Sequence, residues 1–162
     1  MQRLDDFSEK IFLHALNEKM QTIYLVGTAT GLRISDIVSL EKKILSIKEP
    51  TIKEQKTGKS KRIYIPVKIR NRLYDIAQNS HNEYIFFSAS SKSGHISRQY
   101  VWKTFKKVAK KLDININMGT QSMRKKYAKR LYDKHNLNYV KNKLNHDSIV
   151  TSLIYCVDDI KE

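Results

Sequence analysis

The sequence predicts an α+β fold that is mostly helical, with one small antiparallel sheet. Several segments repeat apolar residues at three- and four-residue intervals, which is typical of amphipathic helices. Residues 51–55 and 62–65 instead alternate apolar and polar side chains, with many branched residues, and so favour two strands joined by a hairpin turn. The 162 residues, 40% of them hydrophobic, are enough for one core.

The helical pattern divides the chain at residues suited to helix ends. Gly31 suits a left-handed cap after the second helix, and Pro66 fits the first turn of the fourth. Thr120 and Asp147 are predicted to cap later helices at their N-termini. A third short strand is expected at 45–47, and 84–87 is an apolar strand or turn. The predicted helices are 8–18, 19–30, 34–40, 66–79, 97–112, 120–134, 139–144 and 147–157.

The charge balance indicates a polyanionic partner. The chain has 31 Lys and Arg against 16 Asp and Glu, a formal net charge of +15 and a pI near 9.8. Basic residues recur between apolar positions at 53–62, 103–111 and 124–130, which indicates a folded basic surface rather than a disordered arm. Such a surface attracts nucleic acid. A merely solvated basic face and an anionic membrane surface are the alternatives.

Several classes of function lack support in the sequence. No apolar run approaches the roughly 20 residues that span a bilayer, and the N-terminus lacks the apolar stretch of a signal peptide. Cys156 is the single cysteine, so no internal disulfide can form, and the five histidines show no metal-ligand spacing. We therefore expect no metal and a cytoplasmic protein, associated with the nucleoid of a prokaryotic or phage-bearing host.

A tyrosine near the end of the chain is the first candidate for chemistry. At 100° per residue, one face of the helix predicted at 147–157 gathers the apolar residues Ile149, Val150, Leu153, Ile154, Cys156 and Val157. Tyr155 points away from the centre of that cluster. We therefore expect its phenol to face solvent or a ligand, where it can act as a nucleophile.

Two arginines are candidates for holding an anion. Arg124 falls within the apolar arc of the helix at 120–134, and Gln121 lies about one turn earlier on the same side. A guanidinium directed inward is rarely unpaired, so Arg124 either pairs with a buried carboxylate or forms the floor of an anion site. Arg33 follows the Gly31 turn, and its planar fork suits phosphate.

Four segments together resemble the tyrosine recombinases, the phage integrase family. Residues 28–40 look like the first arginine box, and 55–66 resemble the lysine-bearing hairpin. Residues 119–126 resemble the second box, usually His-x-x-Arg, and 144–148 followed by Tyr155 resemble the final box. Each box alone is a weak signal, but all four occur in the expected order. The resemblance implies the DNA breaking-rejoining fold of the catalytic domain.

The resemblance also implies a chemistry of DNA strand transfer. Tyr155 would attack a phosphodiester and form a 3′-phosphotyrosyl bond. Arg33 and Arg124 would hold the nonbridging oxygens, and Lys56 would protonate the departing 5′-oxygen. His146 would bind the phosphate or help place the tyrosine. No ATP, metal or other cofactor is implied, and the expected role is site-specific recombination or integration of a phage or mobile element.

Position 121 departs from the family pattern, because glutamine stands where histidine is most common. Gln121 can donate or accept a hydrogen bond but cannot carry a proton at neutral pH. A catalytically impaired DNA-binding relative, acting as a regulator or structural partner, is therefore the alternative function. A strand-relaxing role like that of type IB topoisomerases is a further one. Retention of both arginines with Lys56, His146 and Tyr155 favours catalysis.

The same resemblance sets expectations about organisation and partners. Full-length relatives carry a separate N-terminal clamp domain, and we expect residues 1–162 to be a single catalytic domain without that clamp. Double-stranded DNA is the expected partner; we expect a monomer without DNA and self-assembly on it. Basic residues expected to contact DNA, each of which could instead be solvated surface charge, are Lys59, Lys61, Arg62, Arg98, Lys103 and Lys125.

Overall fold

The computed structural model describes residues 5–114 and 121–157, and it is mostly helical with one two-stranded sheet. The predicted α+β class is confirmed. A short 3₁₀-helix, Lys42–Ser46, precedes the sheet. The remaining elements are α1 (Asp6–Ala15), α2 (Glu18–Thr30), α3 (Ile34–Val38), β1 (Thr51–Lys53), β2 (Ser60–Arg62), α4 (Val67–Gln78), α5 (Arg98–Lys111), α6 (Ser122–Tyr132), α7 (Leu137–Leu144) and α8 (Ile149–Cys156).

The predicted strand at 45–47 is wrong. The 3₁₀-helix occupies that stretch and buries the consecutive residues Ile44 and Leu45. Neighbouring side chains in a strand point to opposite faces, so two adjacent buried residues fit a helical turn better. Thr120, predicted to cap the sixth helix, lies outside the described residues. No described helix is both long and apolar enough to cross a membrane.

The sheet is a short hairpin. β1 and β2 are antiparallel, and Ile52 pairs with Lys61 at the centre of the register. Beyond the strands, the backbone N–H of Glu54 donates to Lys59 O at 2.9 Å, and Gly58 N–H donates to Glu54 O at 2.8 Å. Gly58 has φ +66° and no atom close to where a Cβ would lie, so the tip of the turn is open to solvent.

The end of α2 brings two parts of the chain together. Gly31 has φ +65°, as its predicted left-handed cap requires, and its N–H donates to Gly27 O at 2.9 Å. A Cβ at Gly31 would lie 2.3 Å from the ring of Tyr127, and one at Gly27 would lie 2.6 Å from the sulfur of Met123. Glycine at both positions therefore lets α6 lie directly against α2.

Buried residues fall into a large and a small cluster. The large core fills the space among α1 to α5 and includes the edge-to-face rings of Phe12, Tyr24 and Phe105. We call residues 5–114, which supply nearly all of it, the N-terminal body. Residues 121–157, with helices α6 to α8, are the C-terminal helical unit. Its own buried cluster is small: Ala128, Val140, Leu144 and Cys156.

The start of α8 differs from the prediction. Ser148 is its N-cap, and the Ser148 hydroxyl accepts the N–H of Val150 at 3.1 Å. Asp147, predicted to cap the helix, forms an ion pair with Lys59 on the hairpin instead. The hairpin and the turn before α8 are therefore joined at the surface.

The predicted inward face of α8 is wrong except at Cys156. Ile149, Val150, Leu153, Ile154 and Val157 are exposed, and the helix buries Cys156 together with Ser152, which was predicted on the opposite side. Close packing against α6 and α7 favours small side chains, so the bulkier residues lie outside. Tyr155 is half-buried: it packs against the small cluster, while its hydroxyl takes part in an exposed hydrogen bond.

Candidate active site

Arg33 and Arg124 come from different parts of the chain and meet at Glu54. Arg33 is the N-cap residue of α3, in extended backbone, and Arg124 lies in the first turn of α6. Nη1 of Arg33 lies 2.7 Å from Oε2 of Glu54, and Nη1 of Arg124 lies 3.8 Å from Oε1 of the same carboxylate. The predicted pair of arginines therefore forms one cationic site.

Arg124 is buried, as its place in the apolar arc predicted. Only 1% of the residue is exposed, and burial, followed by the charge of Arg33, lowers the pKa of its guanidinium. It donates to Gly31 O at 2.6 Å and to Leu144 O. Of the two possibilities left open by the sequence, the buried carboxylate is present as Glu54, and the guanidinium also borders Arg33. Arg124 thus connects the ends of α2 and α7 beneath the site.

Tyr155, Gln121 and His146 form a second group. The Tyr155 hydroxyl donates to Oε1 of Gln121 at 2.9 Å. The rings of Tyr155 and His146 meet edge to face, with centroids 4.8 Å apart. Nδ1 of His146 lies 2.9 Å from the Ser152 hydroxyl, and burial, reinforced by Arg124, lowers the pKa of His146 to about 4. His146 is therefore neutral at physiological pH.

A groove links this group to the lysine turn. The groove has a volume of about 660 Å³, and its lining includes Arg33, Lys56 and Gln121. Lys56 is exposed on the hairpin turn. The N-terminal part of α5 lines the same groove through Arg98 and Trp102. The structure therefore brings the predicted Lys56 to the groove that the first arginine lines.

The other basic residues predicted to bind DNA lie in different environments. Lys59 is paired with Asp147, and Arg62 lies 2.6 Å from Glu49 on the hairpin surface. Arg98 and Lys103 are exposed on α5, and Lys125 is half-buried on α6. These five side chains have some solvent access from which a polyanion could be contacted.

Lys61 is an exception, because it is directed inward. It is 5% exposed, its Nζ donates to Thr30 O at 2.7 Å, and the amine lies 5.1 Å from the centre of the Tyr127 ring. Burial, followed by the charge of Arg124, lowers its pKa to about 7. The expectation of a surface phosphate contact is therefore wrong for Lys61. Strand parity could have shown this, since Ile63 and Ile65 share its side of the chain.

Glu54 was missed by the sequence reasoning. It is fully buried although it lies next to the exposed lysine turn. The same parity signal was available, because Glu54 shares the side of the half-buried Ile52. Its Oε2 also accepts the Thr57 hydroxyl at 2.8 Å.

This fold and these four boxes define the catalytic-domain class of the tyrosine recombinases. The chain belongs to the phage integrase family, whose model, described as "Phage integrase family", matches residues 1–161. In Bacillus subtilis (strain 168), the probable integrase/recombinase YoeC is 26% identical over 149 residues, which cover 90% of this chain and 81% of that protein.

Solved recombinase structures share the fold. The XerA recombinase superposes with a TM-score of 0.80 at 18% identity, over 98% of this chain and 61% of that one. A lambda integrase dimer bound to a core site superposes with a TM-score of 0.78 at 16% identity, over 99% of this chain and 61% of that one. The XerH recombinase in a post-cleavage complex with its difH substrate superposes with a TM-score of 0.77 at 20% identity, over 97% of this chain and 49% of that one. The chain thus spans about half to three fifths of these recombinases.

Proposed function

We propose that this chain is the catalytic domain of a site-specific DNA recombinase or integrase that cuts and rejoins strands through a 3′-phosphotyrosyl intermediate. The observation that carries the proposal is the position of the Tyr155 hydroxyl. It is hydrogen-bonded to Gln121, which lines the same groove as Arg33 and Lys56. The hydrogen-bond partner of the nucleophile thus lines one groove with a phosphate-binding cation and a proton donor, in a chain of net charge +15.

The reaction exchanges one phosphoester bond for another. The Tyr155 hydroxyl loses its proton to solvent water, its oxygen bonds to phosphorus, the bond to the 5′-oxygen breaks, and Lys56 gives that oxygen a proton as general acid. Arg33 and Arg124 stabilise the charge that builds on the nonbridging oxygens. Attack by a 5′-hydroxyl on the phosphotyrosine reverses these steps and rejoins the DNA. The number of phosphoester bonds stays the same throughout, so the scheme requires neither ATP nor a metal.

Gln121 and His146 have separate roles in this scheme. Gln121 accepts the hydrogen bond of the Tyr155 hydroxyl and so orients it, but it cannot take up the proton. His146, held neutral by burial, can turn its second ring nitrogen to a phosphate oxygen while Nδ1 stays near Ser152. Gln121 thus orients the Tyr155 hydroxyl but does not accept its proton.

The proposed partner is double-stranded DNA, bound along the groove and the basic surface around it. Phosphate contacts make such binding strongly dependent on salt. XerH and lambda integrase were solved bound to DNA, lambda integrase as a dimer. We expect this chain to be a monomer when free, to assemble with further copies on DNA, and to act in the cytoplasm, where the DNA is.

Gln121 favours one second candidate, a DNA-binding relative with little or no cleavage activity. If the residue at this position must act as a base for the tyrosine, then Tyr155 loses its proton too slowly to form an adduct. Such a protein would bind its site and act as a regulator or structural partner.

Covalent trapping distinguishes the two candidates. The full-length protein is incubated with a nicked duplex from its source element, from which the cut fragment diffuses away and cannot rejoin. We expect an adduct that survives denaturant, is lost in Tyr155→Phe, and persists in Tyr139→Phe, a matched change at an exposed tyrosine. DNA binding without an adduct would contradict the catalytic proposal and support the second candidate.

A further inference from the structure

Glu54 is a buried carboxylate placed between the two phosphate-binding arginines. It is fully buried, hydrogen-bonded to Arg33 at 2.7 Å and within 3.8 Å of Arg124. Its Oε1 has no hydrogen-bond partner among the described residues. Burial opposes its ionisation, but the hydrogen bonds from Thr57 and Arg33, together with the charges of Arg33 and Arg124, lower the pKa of the carboxyl. A negative charge therefore lies directly beneath a site that must attract a phosphate.

The same carboxylate supports the turn that carries Lys56. Oε2 accepts both Arg33 Nη1 and the Thr57 hydroxyl, and the backbone of Glu54 closes the turn through Gly58 and Lys59. Lys56 lies within this closed loop. One side chain therefore connects the proposed general acid to the proposed phosphate clamp.

A second buried carboxylate, Asp36, does not share this position. Its Oδ1 accepts the backbone N–H of Gln55 at 2.9 Å, and its Oδ2 has no hydrogen-bond partner among the described residues. Burial raises the pKa of Asp36. Asp36 thus supports the backbone of the hairpin, whereas Glu54 contacts the arginines.

We propose that Glu54 is a positioning residue for DNA cleavage, which fixes the spacing of Arg33 and Arg124 and holds the Lys56 turn against them. This inference rests on the proposed function. Glu54 would act through these three cations and would not itself contact the reacting atoms. Its charge also repels the phosphate that the arginines bind. The residue therefore weakens DNA binding while it accelerates cleavage, a combination that a purely structural residue does not produce.

The test separates DNA affinity from cleavage rate with Glu54→Gln in the full-length protein. Affinity for intact duplex is measured across a salt series in a Tyr155→Phe background, and the rate of adduct formation is measured at saturating nicked DNA. We expect binding that is tighter than wild type, by up to about tenfold, with cleavage about 10- to 100-fold slower, the range expected for a misplaced clamp.

Two further variants control for charge and for length. Glu41→Gln removes one negative charge from an exposed ion pair with Lys43 and should leave the cleavage rate unchanged. Glu54→Asp keeps the charge but shortens the side chain, so affinity should return to the wild-type value while cleavage remains slow.

The outcomes separate this inference from the proposed function. Wild-type protein that binds DNA but forms no adduct would refute the proposed function. An adduct from wild type and equally fast cleavage by Glu54→Gln would overturn only the role of Glu54. A parallel fall of affinity and cleavage rate in both Glu54 variants would also overturn it, because that is the effect of a structural defect.

Discussion

The N-terminal body and the C-terminal helical unit divide the candidate site between them but differ greatly in how they are stabilised. The body contributes Arg33 and Lys56 and contains almost all of the large core. The unit contributes Arg124, His146 and Tyr155, yet its own buried cluster consists of Ala128, Val140, Leu144 and Cys156. Hydrophobic stabilisation grows with the apolar area buried. Arg33 therefore belongs to the well-stabilised N-terminal body, whereas Tyr155 belongs to the weakly stabilised C-terminal helical unit.

Polar contacts across the boundary compensate for the small cluster. Arg124 donates to Gly31 O, Lys126 pairs with Glu9, and Lys59 of the hairpin pairs with Asp147. α6 also lies directly against α2 at Gly27 and Gly31. The position of Tyr155 therefore depends on the N-terminal body as much as on its own helix.

The largest effect is expected from removing the buried link between the two regions. Arg124→Ala leaves Gly31 O and Leu144 O without their donor and Glu54 with one cation fewer, and losing one partner of a buried pair costs about 3–5 kcal/mol. Urea unfolding should show that loss. Arg130→Ala, which removes an exposed donor to Thr28 O, should cost about 1 kcal/mol or less. Similar losses in both variants would contradict the central role of Arg124.

A matched pair of leucines tests the difference in stability directly. Leu144 in the unit and Leu73 in the body are both fully buried, and truncation of either to alanine should cost about 2–5 kcal/mol. The two variants should differ in which backbone amides exchange their hydrogens faster. Leu144→Ala should accelerate exchange in 121–157 and leave the body protected, whereas Leu73→Ala should accelerate exchange in both. Identical exchange patterns would mean that the two regions unfold as one.

Acid should weaken the unit through His146. Its pKa is about 4 in the folded chain against 6.5 in a model peptide, so the unfolded state binds the proton first. The contribution of His146 to the free energy of unfolding is fully present above pH 6.5 and is lost as the pH falls toward 4. At 1.36 kcal/mol per pKa unit, the loss is up to about 3 kcal/mol. His146→Gln should lose less stability over this interval. Parallel pH curves of urea unfolding for the two proteins would contradict the assignment.

The smallest expected effect concerns the residue that departs from the family pattern. Gln121→His would give Tyr155 a neighbour able to accept its proton, and we expect adduct formation about tenfold faster, or about 1.4 kcal/mol. The rate should then fall as the pH drops below the pKa of the new histidine. Gln121→Met, which removes the hydrogen bond to Tyr155, should be slower than wild type. Equal rates in all three proteins would show that position 121 does not limit cleavage.

Much of this site was predictable from the sequence because single residues carried strong local signals. Gly31 marked the end of α2, and the helical period placed Arg124 inward. The face of α8 was not predictable in this way. The helical period placed Cys156 inward together with five bulkier apolar residues that are exposed, and only packing against α6 and α7 shows that the small side chains of Ser152 and Cys156 are the ones buried.

The ion pairs were beyond prediction for a different reason. Glu54 and Arg124 are far apart in sequence, and their contact depends on how α6 packs against α2. Periodicity gives the side of an element on which a residue lies, but it does not identify the partner from another element. The inward parity of Glu54 and Lys61 was readable, while their contacts with Arg33 and Thr30 were not.

The burial of Cys156 gives the protein an internal chemical reporter. Its thiol is the only one in the sequence, lies 3.7 Å from Ala128 O beneath α8, and has a pKa that burial raises. Because alkylating reagents need an accessible thiolate, the thiol should react only when α8 separates from α6. The rate at which the Cys156 thiol is modified therefore measures how often α8, which carries Tyr155, separates from α6, without any label being introduced.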